Sequence, residues 1–305
     1  MSYINGKIII QIVSFEAKDE LRACLDSISW VSSDPQFEAV VVDNGSQSEV
    51  SEMVIKEYPF VYVRTNSTNL GFAAAQNQAY EVSKKLDPTH ILLLNPDATI
   101  SRSDIETLFS KFHTGVASQK IGIVAPKIID AKGQIEQSIH IDLNIWMYIF
   151  KVFGIKLLRL KTQKMYEHEG FVQSVSGACM LIDTALIEDI GFFDEDYFFL
   201  TEDMDFCLRA RQAGWKVLYT PDVQITHLRG RSSLKFNDAD IWRRINHYTT
   251  QFTYFRKHRG WLEYALLKLG RRIEAEIRIL LGIEKSFGLA MKQQLDFKIP
   301  SPFKF

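Results

Sequence analysis

The sequence predicts an α/β fold with a mainly parallel sheet flanked by helices. Three observations predict it. Short β-rich apolar runs alternate with segments of helical apolar spacing through the N-terminal part of the chain. Two of those runs end on an Asp set among polar or turn residues, Asp43 and Asp97. The chain has 305 residues, 46% of them hydrophobic, enough for one large domain or one domain plus an appendage.

The first element is the run Lys7 to Phe15, which reads as a buried parallel strand. Asp19 to Trp30 then carries Leu21, Cys24, Leu25 and Ile28 at helical spacing. Phe37 to Val42 is a second strand, ending on Asp43-Asn44-Gly45-Ser46. Val50 to Tyr58 reads as helix and Val61 to Val63 as strand. Asn69-Leu70-Gly71-Phe72 is a turn before a strong helix from Ala73 to Lys85. His90 to Leu94 is the next strand, ending on Asn95-Pro96-Asp97. Ligands of such sheets bind beyond the carboxyl ends of the strands. Asp43 is placed to accept hydrogen bonds from a base or ribose, and Asp97 to help hold a divalent cation against a diphosphate. Each also has an ordinary reading as a turn residue.

From Ile121 the pattern changes. Ile121 to Pro126 and Lys127 to Asp130 read as strands, with a turn at Ala131-Lys132-Gly133. The apolar, lysine-bearing stretch from Asn144 to Leu160 reads either as a surface helix, lid or membrane-near patch, or as a core helix. Phe171 to Val175 is a strand leading into Ser176-Gly177-Ala178, where small side chains let a ligand approach the backbone. The aromatic run Tyr197-Phe198-Phe199 precedes Thr201-Glu202-Asp203-Met204-Asp205, in which Thr201 is a candidate N-cap for a helix ending at Gly214. The helix dipole by itself favours acids there. A carboxylate at the mouth of an apolar pocket is also the usual make-up of a general base, and Asp203 is the candidate. Asp205 is expected to pair with Arg209 instead, as a helix-surface salt bridge. Trp215 to Tyr219 is a strand stopped by Pro221, and Val223 to His227 a short one. The following Arg229-Gly230-Arg231 reads as a basic diphosphate clamp.

Formal net charge is −1, which argues against a general nucleic-acid binder. Cys24, Cys179 and Cys207 lie far apart with no CxxC spacing, which fits a reduced, cytoplasmic protein. No signal-peptide pattern and no uncharged apolar run of about 18 residues are present. The longest apolar stretch, from Asn144 to Leu158, is broken by Lys151 and Lys156.

In this order, Ile12-Val13-Ser14-Phe15, Val42 to Ser46, Asn69 to Ala73, Leu94 to Asp97, Ser176-Gly177-Ala178, Gly191 to Glu195, Glu202 to Asp205 and His227 resemble glycosyltransferase family two, closest to its bacterial rhamnosyltransferase-like branch. The resemblance covers about residues 7 to 235. It implies a GT-A fold over 1–235, with a nucleotide-binding half to about 120 and an acceptor half after it. Residues 236–305 then form a basic, aromatic helical C-terminal extension. It implies inverting transfer from a nucleoside-diphosphate sugar, dTDP-L-rhamnose as the best single donor or another such as a UDP-hexose, to a glycan or polyprenyl-linked acceptor. Bacterial cell-surface polysaccharide synthesis is the implied setting. It assigns Asp203 as base with Glu202 beside it. It places Ser14, Glu16, Asp43, Asn69, Gly71, Asn77, Asn95, Asp97, Arg229 and Arg231 around the donor. Gly177, Ala178 and Glu202 fall near the acceptor, and Asp97 and His227 at Mg²⁺ or Mn²⁺.

This chain departs from the branch at Phe15-Glu16, where Asn usually follows the aromatic residue. It departs again at Ala73-Ala74-Ala75, which is poorer in glycine, and at Asn95, which leaves Asp97 as the lone acid of the metal motif. A nucleotidyltransferase would want a glycine-rich basic loop where Ser14-Phe15-Glu16-Ala17 stands. A non-catalytic sugar-nucleotide-binding subunit would not need the acidic stretch. The extension alternates basic and apolar residues, which fits either an anionic membrane surface, on the inner face of the cytoplasmic membrane, or a partner subunit such as a second copy. It fits equally well helices packed on the catalytic domain.

Overall fold

The computed structural model describes residues 6–47, 49–114, 119–152, 165–228 and 239–296. Strand β1 (Ile8–Ser14) is buried along its whole length. Ile8, Ile10 and Ile12 face one apolar cluster and Ile9 and Val13 the other. A strand covered on both faces needs a continuous apolar run, and this run is one. β1 pairs in parallel with β2 (Phe37–Asp43) and β4 (His90–Leu94), and β2 with β3 (Val61–Thr65). Helices α1 (Lys18–Ser27), α2 (Val50–Glu57) and α4 (Arg102–Thr114) contribute to one face; α3 (Phe72–Ser83) lays Ala73, Ala75 and Ala79 on the other.

Beyond β4 the sheet is mixed. β10 (Cys179–Asp183) runs antiparallel to β4 and to β6 (Ile121–Ile129), while β11 (Lys216–His227) runs parallel to β6. Short β5 (Ala98–Thr99) closes the order β3-β2-β1-β4-β10-β6-β11-β5. Three sequence readings are corrected here. Ile121 to Asp130 was expected as two strands, and Ile121–Ile129 is one. Pro221 was expected to end a strand, yet β11 runs through it to His227. The register against β6 shifts between Thr220 and Gln224, a bulge that takes up the missing N–H of the proline. The expected strand from Phe171 to Val175 is instead two short pieces. β8 (Gly170–Phe171) pairs with β11, and β9 (Ser174–Val175) pairs with β7 (Ile139–His140).

The apolar stretch after Asn144 gives α5 (Ile145–Val152). Ile145, Tyr148 and Ile149 pack in a third cluster with Met204, Leu208 and residues of the extension, so this part is a packed helix, while residues 153–160 of the expected stretch lie outside the described residues. Helices α6 (Thr184–Ile190) and α7 (Glu202–Gln212) follow in the second half of the domain. The extension forms α8 (Ala239–His258), α9 (Gly260–Leu281) and α10 (Lys285–Asp296). Among the described residues, no helix is long and apolar enough to cross a membrane. All three cysteines are free and buried.

Candidate active site

The carboxyl ends of β1, β2 and β4 lie side by side, with Ser14 the register partner of Asp43. Ser14 is fully buried, and its Oγ finds no partner among the described residues. Asp43 is 3% exposed. Its Oδ1 accepts from the Ser46 amide at 3.0 Å, and its Oδ2 from the Ser51 hydroxyl at 2.6 Å, tying β2 to the start of α2. Glu16 braces the same loop, accepting from the Gln47 amide at 2.6 Å.

Asn44 organises the next loop. Its Nδ2 donates to Asn69 Oδ1 at 2.9 Å and to the Gly71 carbonyl at 3.2 Å. Its Oδ1 accepts from Asn66 Nδ2 at 3.0 Å and from the Leu70 amide at 3.1 Å. A side chain that satisfies four loop groups at once fixes that loop. Sequence reasoning misses Asn44, because Asp-Asn-Gly-Ser already has a sufficient explanation as a turn. Gly71 has φ +88°, and an added Cβ would stand 2.4 Å from the Phe198 carbonyl oxygen. Phe72 N donates to that same oxygen at 2.7 Å. Asn77 is engaged elsewhere: its side-chain amide brackets the Phe193 backbone at 2.9 and 3.1 Å.

The second half brings its residues to the same edge. Asp203 sits in the first turn of α7, where Oδ2 accepts from the Gly177 amide at 3.1 Å and Oδ1 from the Met204 amide at 2.8 Å. The Ala178 carbonyl accepts from the Asn95 amide at 2.9 Å. The Asn95 side-chain amide lies 3.1 Å from His227 Nε2, which is 3.0 Å from Asp97 Oδ1. A continuous line of contacts therefore runs from Asp203 through Gly177, Ala178 and Asn95 to His227 and Asp97. Behind it, His227 Nδ1 is 3.0 Å from Glu136 Oε2. Sequence reasoning misses Glu136 too, since nothing in its local pattern points to a histidine 91 residues away. Burial works to lower the His227 pKa, but Asp97 and Glu136 outweigh it and raise it.

Thr201 does not cap α7 with its side chain as expected. It sits at φ +77° with no side-chain cap bond, and its hydroxyl lies 3.1 Å from that of Thr250. Glu202 is 5% exposed, and its Oε2 finds no partner among the described residues. Burial pushes its carboxyl well above the usual range, and the charges of Asp203 and Asp205 push the same way. Asp205 pairs with Arg209 (2.7 Å) as expected, but the pair is not on the helix surface: α8 packs over it, and Asp205 is buried between Arg209 and His258 (2.6 Å). Burial opposes its ionisation, but the His258 and Arg209 contacts win and hold it below the usual range. Arg229 and Arg231 lie outside the described residues.

Asp97 and His227 offer one carboxylate oxygen and one imidazole nitrogen, a donor pair that suits Mn²⁺ or Mg²⁺. Glu136 lies on the far side of the imidazole and orients it, as carboxylates behind metal-binding histidines do. Among the described residues no three such side chains are arranged to hold a metal ion together, so a cation here would need further oxygens from a ligand or water.

The family model described as "Glycosyltransferase like family 2" matches residues 6–246. The chain belongs to this family. The glycosyltransferase is 27% identical over 232 residues to the low-salt glycan biosynthesis hexosyltransferase Agl10 of Haloferax volcanii, covering 75% of this chain and 70% of the relative. It is 25% identical over 300 residues to the N-acetylglucosaminyl-diphospho-decaprenol L-rhamnosyltransferase of Mycobacterium tuberculosis, covering 93% and 95%. Its fold matches that of a mannosyltransferase of Pyrobaculum calidifontis, solved in complex with GDP-mannose and Mn²⁺, at TM-score 0.57 and 13% identity over 96% of this chain and 88% of that one. The glycosyltransferase therefore has a GT-A fold, followed by helices that extend past the matched segment.

Proposed function

We propose that this glycosyltransferase transfers a sugar with inversion, using L-rhamnose from dTDP-L-rhamnose, to a hydroxyl of a polyprenyl-linked glycan acceptor in bacterial cell-surface polysaccharide synthesis. The observation that carries this reading is the Asp203 carboxylate, held by the Gly177 and Met204 amides at one end of the line that reaches Asp97. The rhamnose donor and lipid-linked acceptor take their support from the Mycobacterium relative, which aligns along 93% of the chain.

In this reading the acceptor hydroxyl attacks the anomeric carbon opposite the leaving nucleotide. Asp203 takes the hydroxyl proton as the new carbon–oxygen bond forms and the bond to the diphosphate breaks. No covalent enzyme intermediate is needed. Ser14 and Asp43 face the nucleoside, Gly177 and Ala178 let the acceptor approach, and Glu202 lines its side of the site. Asp97 and His227 would hold Mg²⁺ or Mn²⁺, whose positive charge offsets the negative charge of the departing diphosphate. The loop carrying Arg229 and Arg231 is assigned to the same diphosphate.

The extension supports placement on the inner face of the cytoplasmic membrane. On α9, Leu262, Leu266, Leu269, Ile273, Ile277 and Leu280 are all exposed and recur three to four residues apart. Such a stripe lies along one side of a helix. Residues 239–296 hold 11 Lys or Arg against 6 Asp or Glu in a chain of net charge −1, so the extension is positive and the rest negative. That imbalance favours an anionic lipid surface over a second copy of the same positive face.

A donor screen by nucleotide release, with dTDP-, UDP- and GDP-sugars and Mn²⁺, tests the proposal. Release from dTDP-L-rhamnose on adding a polyprenyl-linked acceptor is the expected result. Release from a UDP-hexose alone would replace the donor, and none from any donor would favour a non-catalytic subunit.

A further inference from the structure

We propose that α8 is a working part of the catalytic centre, with Asn246, Thr250 and His258 as positioning residues for the turn that carries Asp203. The inference rests on the reading of Asp203 as base. Its starting point is backbone strain. Leu200 and Thr201, the two residues before α7, have φ +71° and +77°. Neither is glycine, and Thr is β-branched, so both sit where L side chains are crowded by their own backbone. Two such residues in succession persist only when their surroundings over-determine them.

The surroundings that do so come largely from α8. The Asn246 side-chain amide donates to the Phe199 carbonyl, immediately before the turn. Thr250 Oγ1 meets Thr201 Oγ1 at 3.1 Å, and both residues are buried. His258 Nε2 lies 2.6 Å from Asp205 Oδ1, two residues beyond Asp203. Lys257 Nζ is 2.7 Å from Asp196, at the start of the same loop. Trp242 stacks on Phe199 with ring centroids 6.3 Å apart. From the nucleotide side, Phe72 N donates to the Phe198 carbonyl. One helix thus grips the loop before the strained pair, the pair itself, and the first turn after it.

The family match ends at residue 246, so Thr250 and His258 lie beyond it. The turn is therefore secured partly by the end of the matched segment and partly by the helix residues that follow it. A left-handed turn held in this way sets the direction in which α7 starts, and so where the Asp203 carboxylate stands relative to Gly177. Small errors there matter, because proton removal needs hydrogen-bond contact with the attacking hydroxyl.

The test uses the full chain with Asn246→Ala and Thr250→Val, each alone and combined with Leu200→Gly. Amide hydrogen exchange across residues 197–206 is expected to quicken roughly tenfold in the single variants, with exchange in β1, β2 and β4 unchanged. Turnover of dTDP-L-rhamnose, or of the donor the screen selects, should fall roughly 10²-fold in kcat. Donor KM should stay within about twofold. Leu200→Gly should restore most of both losses, because glycine adopts positive φ without crowding and no longer needs the clamp. Unchanged exchange and kcat would overturn the proposal. So would a joint loss of melting temperature, KM and kcat that Leu200→Gly leaves unrescued, since that is general destabilisation. Asp203→Asn is measured in parallel. If that variant still turns over, the base assignment fails, while the exchange arm still decides whether α8 holds the turn.

Discussion

The main-chain N–H of Gly177 donates to Oδ2 of Asp203 at 3.1 Å. This bond joins the small-residue loop before β10 to the carboxylate at the head of α7. In the proposed mechanism the same carboxylate takes the proton of the attacking hydroxyl. Asp203→Asn keeps the shape but removes the basic oxygen. Transfer should fall by about 10²–10⁴-fold. Donor binding, followed by thermal shift with nucleotide and Mn²⁺, should be nearly unchanged. Near-normal turnover would falsify the base assignment.

Asp97, His227 and Glu136 form a graded series. Asp97→Ala removes a proposed ligand and should abolish the Mn²⁺ dependence of donor binding, read by titration calorimetry with and without chelator. Glu136→Gln leaves both ligands in place but removes the negative charge that orients His227. Its effect should be milder, about 10–100-fold in Mn²⁺ affinity. Equal losses in the two variants would mean that Glu136 does more than orient the ring.

Asp205 should govern acid stability. Its folded carboxyl lies below the usual range, so the stability it contributes is present above the unfolded value of about 3.9 and is lost as pH falls through the folded value. Removing one member of a buried ion pair costs about 3–5 kcal/mol. Asp205→Asn should therefore melt well below the wild type at pH 7, and the gap should close as pH drops under about 4. A gap that stays constant across that range would show that the contact contributes through packing alone.

Gly71 and Gly133 both have positive φ, +88° and +76°, but of the two only Gly71 faces backbone, with the Phe198 oxygen 2.4 Å from the place a Cβ would take. Gly71→Ala should destabilise the protein by about 1–3 kcal/mol or more and disable donor binding, since the loop and Phe198 must separate. Gly133→Ala meets nothing within 4 Å, so it should carry only the backbone penalty and keep its activity. Comparable activity in both variants would remove the Gly71–Phe198 contact from the donor site.

The α9 stripe gives a membrane prediction. Leu266→Ser combined with Ile273→Ser and Ile277→Ser should abolish sedimentation with phosphatidylglycerol vesicles, while phosphatidylcholine vesicles should bind the wild type weakly. If the wild type stays off both vesicles but sediments as a dimer that the triple variant breaks, the stripe is an interface between copies.

The α/β class and the parallel strands were legible in the sequence, as was the placing of the candidate residues Asp43 and Asp97 at strand ends, because they depend on local matters. A strand buried on both faces must be apolar throughout, as Ile8 to Val13 nearly is, and its end must carry the turn chemistry seen at Asp43 and Asp97. The pairing of Asp205 with Arg209 was equally legible, being a helix spacing of four, but its burial against His258 was not. The tertiary structure alone decided what depends on distant partners. Glu136 meets His227 across 91 residues, and Asn44 gathers Asn66, Asn69, Leu70 and Gly71. Pro221 stays inside β11 because a bulge against β6 absorbs it. Thr201 has the residue type of a cap and is instead a strained residue bonded to Thr250, since the backbone angle and the helix that supports it are set by packing. Residue type and spacing report the preferences of a segment; which preference yields is decided by the neighbours that the fold brings against it.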